Sequence, residues 1–378
     1  MHRAVIDDFS QTGNVPTFFL QCDTRRGSLA LGTFPVSKKP TVNIIEVANR
    51  AGVSKSTVSR VVSECGGAVS AKTRENVLAA IRELRYTRNT NAAGLRTQKT
   101  WIVLIMVPDI ANPFWAEIAR AAQDRLEAGG NSVVIGNTDW NEERESRYFE
   151  LARARRFDGM IINSVTNNIA AIDGLGVPVV MVGERAAAQD IDTVGTDTRI
   201  ATRIALDHLW TKGHRRIAIA TSENGSERYL SLRRRTYEEF LAEKGIAHDP
   251  AIAFTVKLSE EGGRQFARSL LALERWRERV DAAFCGNDLL AIAAMDVLRD
   301  AGVEAGRDIS IVGMDDIPGA ALVRPGLTTV RKPRGRIGAA AAEFLLARIR
   351  DPEKPRVRQL FPGELVERGS VMERRSGT

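Results

Sequence analysis

Beyond residue 100 the chain alternates between short unbroken apolar runs and longer stretches in which apolar residues recur every three or four positions. WIVLIMV (101–107), NSVVIG (131–136), DGMIIN (158–163) and VPVVMV (177–182) have the length of strands and no alternation, which predicts parallel strands buried on both faces. Amphipathic helical stretches separate them. RRIAIAT (215–221), AIAFTV (251–256), DAAFC (281–285) and DISIVGM (308–314) form a second series, interleaved with helical periodicity over 226–244, 262–276 and 289–301. Two βαβ series of similar size imply two doubly wound lobes, and ligands of such sheets bind at the carboxyl ends of the strands. The cleft between the lobes is the expected pocket.

Ahead of residue 100 the pattern is that of two short helices and a tight turn, VNIIEVANRAGVSKSTVSRVVS from Val42 to Ser63. Asn43 and Glu46 have capping-box spacing, so the first helix begins at Ile44 and ends near Ala51. Gly52 supplies the turn, Val53 plugs the gap, and Ser54 caps a second helix from Lys55 to Val62. Val47, Ala48, Val58 and Val61 then make a buried seam, while Lys55, Ser56, Ser59 and Arg60 point outward, all able to bond to bases or phosphates. Ser70 caps a third helix, Ala71 to Leu84, with Val77, Ile81 and Leu84 closing a small core. The polar stretch Thr87 to Thr100, interrupted by Gly94, is the linker.

AGVSKSTVSRVV, then VSAKTRENVLAAIRELRY, then a short hinge and a long α/β body is a pattern that resembles the LacI/GalR family of bacterial transcriptional regulators, over about Pro40 to Arg375. The resemblance implies an N-terminal all-α helix-turn-helix domain followed by an α/β periplasmic-binding-protein-like core of two doubly wound lobes. The chain would cross between lobes near Asp197 to Ile204, near Leu327 to Lys332 and again near the C-terminus. It also implies that the linker becomes a hinge helix on DNA and that Leu95 wedges into the minor groove, where unstacking a base step costs about a few kcal/mol and the bend admits more contact. The DNA-facing set is then Lys55, Ser56, Thr57, Ser59 and Arg60 with Asn89, Ala92 and Leu95. Two residues depart from the family's hinge: Arg88 stands where proline is usual, and Gly94 lowers helix propensity by about 1 kcal/mol relative to alanine.

Charge adds an independent argument. Lys38 to Lys99 carries twelve basic and four acidic residues, +8, against +7 for all 378 residues, so the remainder sums to −1. A basic excess confined to one small region is the footprint of phosphate neutralisation. The chain, 43% apolar, is long enough for two or three domains. We expect a poorly ordered extension over 1–39, a DNA-binding domain over 40–86, a hinge over 87–100 and a ligand-binding and dimerisation core over 101–378. No apolar run approaches the ~18 residues of a membrane helix, and the first 37 residues lack signal-peptide order. Cys22, Cys65 and Cys285 are widely separated and offer neither a disulfide framework nor metal-ligand spacing, which fits a reducing cytoplasm.

Several polar and aromatic residues fall at the strand ends: Asn112, Phe114 and Trp115; Glu184 and Arg185; Arg233; Asn287 and Asp288; Asp315 and Asp316. Carboxylates accept ligand hydroxyls, Arg233 donates in a planar fork, and an aromatic ring packs on the apolar face of a sugar. Asn112 and Asp288 are also placed to cap helices. Family ligand positions match Phe114, Arg233, Asn287 and Asp315. Thr236 replaces the family's usual glycine, and Lys332 stands where glutamine is frequent. With Arg185 and Arg233, Lys332 would suit an acidic or phosphorylated ligand.

Enzymes are disfavoured. No G-x-G-x-x-G follows the first strand, and there is no Walker GK[ST], no G-x-S-x-G and no H-E-x-x-H. No catalytic residues, cofactor or metal are expected. A solute-binding protein or an α/β enzyme with an incidental basic segment is the alternative to a repressor. The repressor would bind a palindromic double-stranded operator as a homodimer or higher homo-oligomer, under the control of a small sugar-like effector, with no membrane partner.

Overall fold

A computed structural model describes residues 42–62, 69–86, 99–154, 156–166, 169–184, 190–222 and 232–374. The chain divides into two compact units, 1–89 and 90–378.

The first unit contains α1 (Ile44–Ala51), α2 (Lys55–Val62) and α3 (Ala71–Glu83). Asn43 caps α1 by accepting from the main-chain N–H groups of Ile45 and Glu46, and the Glu46 side chain reaches back to complete the capping box. Gly52 ends α1 at φ 66°, a left-handed conformation that disfavours side chains, which is why a glycine makes this turn. Ser54 Oγ accepts from Thr57 N at 3.1 Å to start α2. Val47, Ala48, Val58, Val61, Val77 and Ala80 form the core, with Ile81 and Leu84 only partly buried against it. Arg50 and Glu83 tie α1 to α3 through an exposed ion pair.

The second unit holds two sheets. In the first, β1 (Ile102–Val107), β2 (Ser132–Asn137), β3 (Gly159–Ile162), β4 (Val179–Val182) and β5 (Asp192–Thr196) are joined by a late strand, β11 (Arg358–Phe361), in the order β11-β5-β4-β3-β1-β2. The second is built from β6 (Ile217–Thr221), β7 (Ala253–Thr255), β8 (Ala282–Cys285), β9 (Ser310–Asp315), β10 (Thr328–Arg331) and β12 (Glu364–Val366), in the order β12-β10-β9-β8-β6-β7. All described pairings are parallel except β10 with β12. Each sheet therefore repeats one doubly wound order.

Successive residues of β1 serve opposite faces. Val103, Ile105 and Val107 pack beneath the helices Pro113–Ala128 and Arg334–Arg350, while Leu104 and Met106 join Phe149, Met160 and Met181 on the other side. The two helices on the first face approach closely: a Cβ at Gly338 would come within 2.3 Å of the Ile118 carbonyl oxygen. The chain crosses between lobes from β5 into the helix Thr198–Thr211, from β10 into Arg334–Arg350, and from β11 into β12.

Three local expectations need correction. NSVVIG is not buried on both faces: as β2 it takes the sheet edge, pairing with β1, and Val134 and Ile135 are 42% and 43% exposed. The helix expected over 262–276 begins at Glu260 behind the Ser259 cap and stops at Ala272, Trp276 opening a separate short turn. Asn287, not Asp288, caps the helix Asp288–Asp300. Among the described residues, no helix is long and apolar enough to cross a membrane.

Candidate functional site

The carboxyl ends of the two sheets face each other across a cleft. β1, β3, β4 and β5 bring Asp109, Asn163, Glu184 and Thr196 to one wall, and β6, β8, β9 and β10 bring Ser222, Asn287, Asp315 and Lys332 to the other. Phe114, Trp115, Trp140 and Arg233 complete the lining of this cleft, which is partly open to solvent.

Asp315 sits at its electrostatic centre. The main chain there is strained, with φ 121° at Asp315 and 56° at Asp316. The Arg334 guanidinium holds it by donating to the main-chain oxygens of Asp315 at 2.5 Å and Asp316 at 2.7 Å. Asp316 turns away from the cleft to bind Arg331 at 2.8 Å and Arg368 at 2.6 Å, so of the two carboxylates only Asp315 is presented. Lys332 Nζ lies 2.8 Å from Asp315 Oδ1 and 4.8 Å from the centroid of the Phe114 ring. Burial pulls the Lys332 pKa down, Asp315 opposes the shift, and Arg233 adds to it. Burial likewise lowers the pKa of Arg233, against the attraction of Asp315, and its Nε has no hydrogen-bond partner within the protein.

Behind this group Asp288 is wholly buried, accepting from Thr329 Oγ1 at 2.6 Å and Ile317 N at 2.9 Å. Burial, with the nearby charge of Asp315, pushes its pKa up from 3.8 to about 7. Folding then takes up a proton between those two values, so the contribution of Asp288 to stability is greatest in acid and falls as pH rises through about 7. Wild type should lose stability relative to Asp288→Asn between pH 5 and pH 7.5, read as the difference in urea midpoints; parallel midpoint-against-pH curves would refute the shift.

The other expected ligand residues divide. Phe114 and Trp115 line the cleft and meet edge-on, with centroids 4.9 Å apart. Asn287 lines it too, yet the fold uses both ends of its amide: Oδ1 accepts from Leu290 N and Nδ2 donates to Leu258 O. Glu184 accepts from Thr198 N and from Arg358. Thr236 is buried, its hydroxyl donating to Leu232 O at 2.7 Å. Arg185 lies outside the described residues. Sequence reasoning passed over Asp109, Trp140, Asn163 and Thr196; for the first three, position just beyond a strand-like run was the available signal. Asn163 Oδ1 and Thr196 Oγ1 are buried without a hydrogen-bond partner within the protein, and both residues line the cleft. Such atoms suit a ligand rich in hydroxyls.

In the first unit, Lys55, Ser56, Ser59 and Arg60 form the exposed face of α2. Thr57 is half-buried, its hydroxyl 2.9 Å from Ser54 Oγ. Ser56 Oγ lies 2.7 Å from the same atom. Asn89, Ala92 and Leu95, with Arg88 and Gly94, fall outside the described residues.

Comparison with known proteins bears on both units. Residues 43–89 match the model for bacterial regulatory proteins of the lacI family, and residues 206–371 match that of a periplasmic binding protein-like domain. The HTH-type transcriptional regulator DegA of Bacillus subtilis is 31% identical over 334 residues, 87% of this chain and 97% of that protein. The Lac repressor dimer bound to operator and the anti-inducer ONPF is similar with a TM-score of 0.77 at 29% identity, over 88% of this chain and 99% of the other. A LacI family transcriptional regulator from Enterococcus faecium with bound ribose has a TM-score of 0.65 at 28% identity, over 72% of this chain and all (100%) of that one.

Proposed function

The chain belongs to the LacI family of bacterial regulatory proteins, and from that premise we propose that it is a sequence-specific transcriptional repressor that binds a palindromic operator as a dimer and answers to a small, polar, sugar-like effector. One combination carries the reading: a three-helix unit with a polar reading face on α2, and in the same chain a two-lobed cleft whose walls offer buried polar atoms without partners. A dimer presents two reading heads one or more DNA turns apart, which demands an approximately two-fold operator. Exposed Val134 and Ile135 on β2 offer an apolar edge for a second copy, and the Lac repressor comparison is itself of a dimer. The chain is a switch and not a catalyst, acting in the cytoplasm where its operator lies. Residues 87–100 serve as the hinge that couples effector to DNA.

Effector binding shifts the balance between lobe arrangements, and the sign of control follows from which arrangement the ligand prefers. Selection of bound fragments from a genomic DNA library by the full chain tests the reading, with enrichment of one near-palindrome as the expected outcome. Without such enrichment the proposal fails. Within that experiment Lys55→Ala should weaken binding by about 1 to 3 kcal/mol and relax preference at one base pair of each half-site, as loss of a base contact does. An unchanged enrichment profile would remove Lys55 from base reading.

A further inference from the structure

We propose that the effector is an anionic polyol, a sugar acid or sugar phosphate, whose negative group is held between Arg233 and Lys332. The inference rests on the regulator reading and deepens it.

A buried lysine and a half-buried arginine on the second-lobe wall share one carboxylate. Arg233 and Lys332 both look to Asp315, two nearby carboxylates are committed to other partners, and Asp109 lines the opposite wall. Asp316 is bound by Arg331 and Arg368, and Glu184 on the opposite wall is bound by Arg358 and the Thr198 N–H. Asp288 lies behind the wall, both of its oxygens occupied by Thr329 and Ile317, and does not line the cleft. Among the described residues Asp315 is thus the one carboxylate that this wall presents to the cleft beside two cations. Lining the cleft beside the pair, Arg233 keeps its Nε without a partner.

A neutral hydroxyl would answer the hydrogen bond but not the charge. An ionised carboxylate or phosphate answers both, because it accepts from a guanidinium and an ammonium and brings a second negative charge to the two cations. The rest of the ligand is described by the facing wall: Asn163 Oδ1 and Thr196 Oγ1 are unpartnered, Asp109 stands at the end of β1, and the indole of Trp140 lines the same space. These groups suit hydroxyls on a ring or short chain. Lys332 is what separates this arrangement from one built for a neutral sugar, since a single Arg233–Asp315 pair would be balanced.

Isothermal titration of the full chain against matched pairs tests this: D-glucose beside D-gluconate, D-glucuronate and glucose 6-phosphate; D-galactose beside D-galactonate and D-galacturonate; D-ribose beside D-ribonate and ribose 5-phosphate. At least one anion should bind 100-fold or more tighter than its neutral partner. Preference confined to carboxylates identifies a sugar acid, and preference confined to phosphates identifies a sugar phosphate. Lys332→Gln should cut the ratio tenfold or more. Neutral members binding as tightly as their anions, no anion binding at all, or a ratio indifferent to Lys332→Gln would each overturn the proposal. A neutral sugar that binds and releases operator overturns the anionic class alone, whereas failure to select any operator overturns the regulator reading.

Discussion

Asp315→Ala is expected to destabilise the core by about 3 kcal/mol or more and to abolish the response to effector. Asp315 is 3% exposed and pairs with buried Lys332 at 2.8 Å, with Arg233 attracted to it as a second cation, so its removal leaves Lys332 buried without its counter-charge. Breaking one side of a buried pair costs far more than the pair contributes, because the surviving charge keeps its desolvation penalty. Lys332 can limit the loss by shedding its proton, towards which burial already inclines it. The double variant Asp315→Ala/Lys332→Met should therefore be more stable than Asp315→Ala alone, a non-additivity measured by urea unfolding. A loss below about 1 kcal/mol would place the pair among surface ion pairs. Arg233→Ala should lose the response as well, leaving Asp315 one cation, and operator affinity of either variant should not change as effector is added.

Arg348→Ala should be comparably severe, about 3 to 5 kcal/mol, for a reason remote from the cleft. Arg348 grips Asp192 in a two-pronged contact at 2.9 and 3.0 Å and donates to the carbonyl oxygens of Pro352, Lys354 and Pro355. Asp192 accepts in addition from Val357 N at 2.8 Å. One guanidinium thus fastens the start of β5 to the loop that delivers β11. Arg348→Lys should recover little, because an ammonium cannot reproduce the planar fork. Hydrogen exchange should show β11 losing protection before the rest of its sheet; uniform loss across the sheet would mean that the contact is not local in effect.

What was legible in the sequence follows from where its signals are local. Strands such as β1, β4 and β8 announce themselves because both faces are buried and every residue is apolar. β5, DTVGT, is buried throughout yet gives no such signal. Its Asp192 is satisfied by Arg348, a partner that only the fold supplies, and Thr193 by the neighbouring Ile191 carbonyl. β11 and β12 are edge additions of three or four residues with too little pattern to read. The same distinction governs the cleft. Position after a strand nominated Phe114, Arg233 and Asp315, and the family resemblance drew in Lys332, whereas the use of Asn287 and Glu184 as fasteners, and the burial of Asp288 one residue past the cap, depend on neighbours distant in sequence. NSVVIG misled because apolar composition cannot distinguish a central strand from an edge.

The two last strands have a consequence for synthesis. β11 completes the sheet begun by β1, and β12 lies beside β10 in the other sheet, so neither lobe is whole until the final stretch of chain has been made. During translation β5 offers a bare edge for more than 150 residues, from Thr196 to Arg358. A ribosome that stops anywhere before Arg358 therefore releases a product with both sheets unfinished, one that can carry the reading head, lack a working cleft and expose strand edges to aggregation. Premature stop codons late in the gene should be nearly as damaging to protein abundance as early ones.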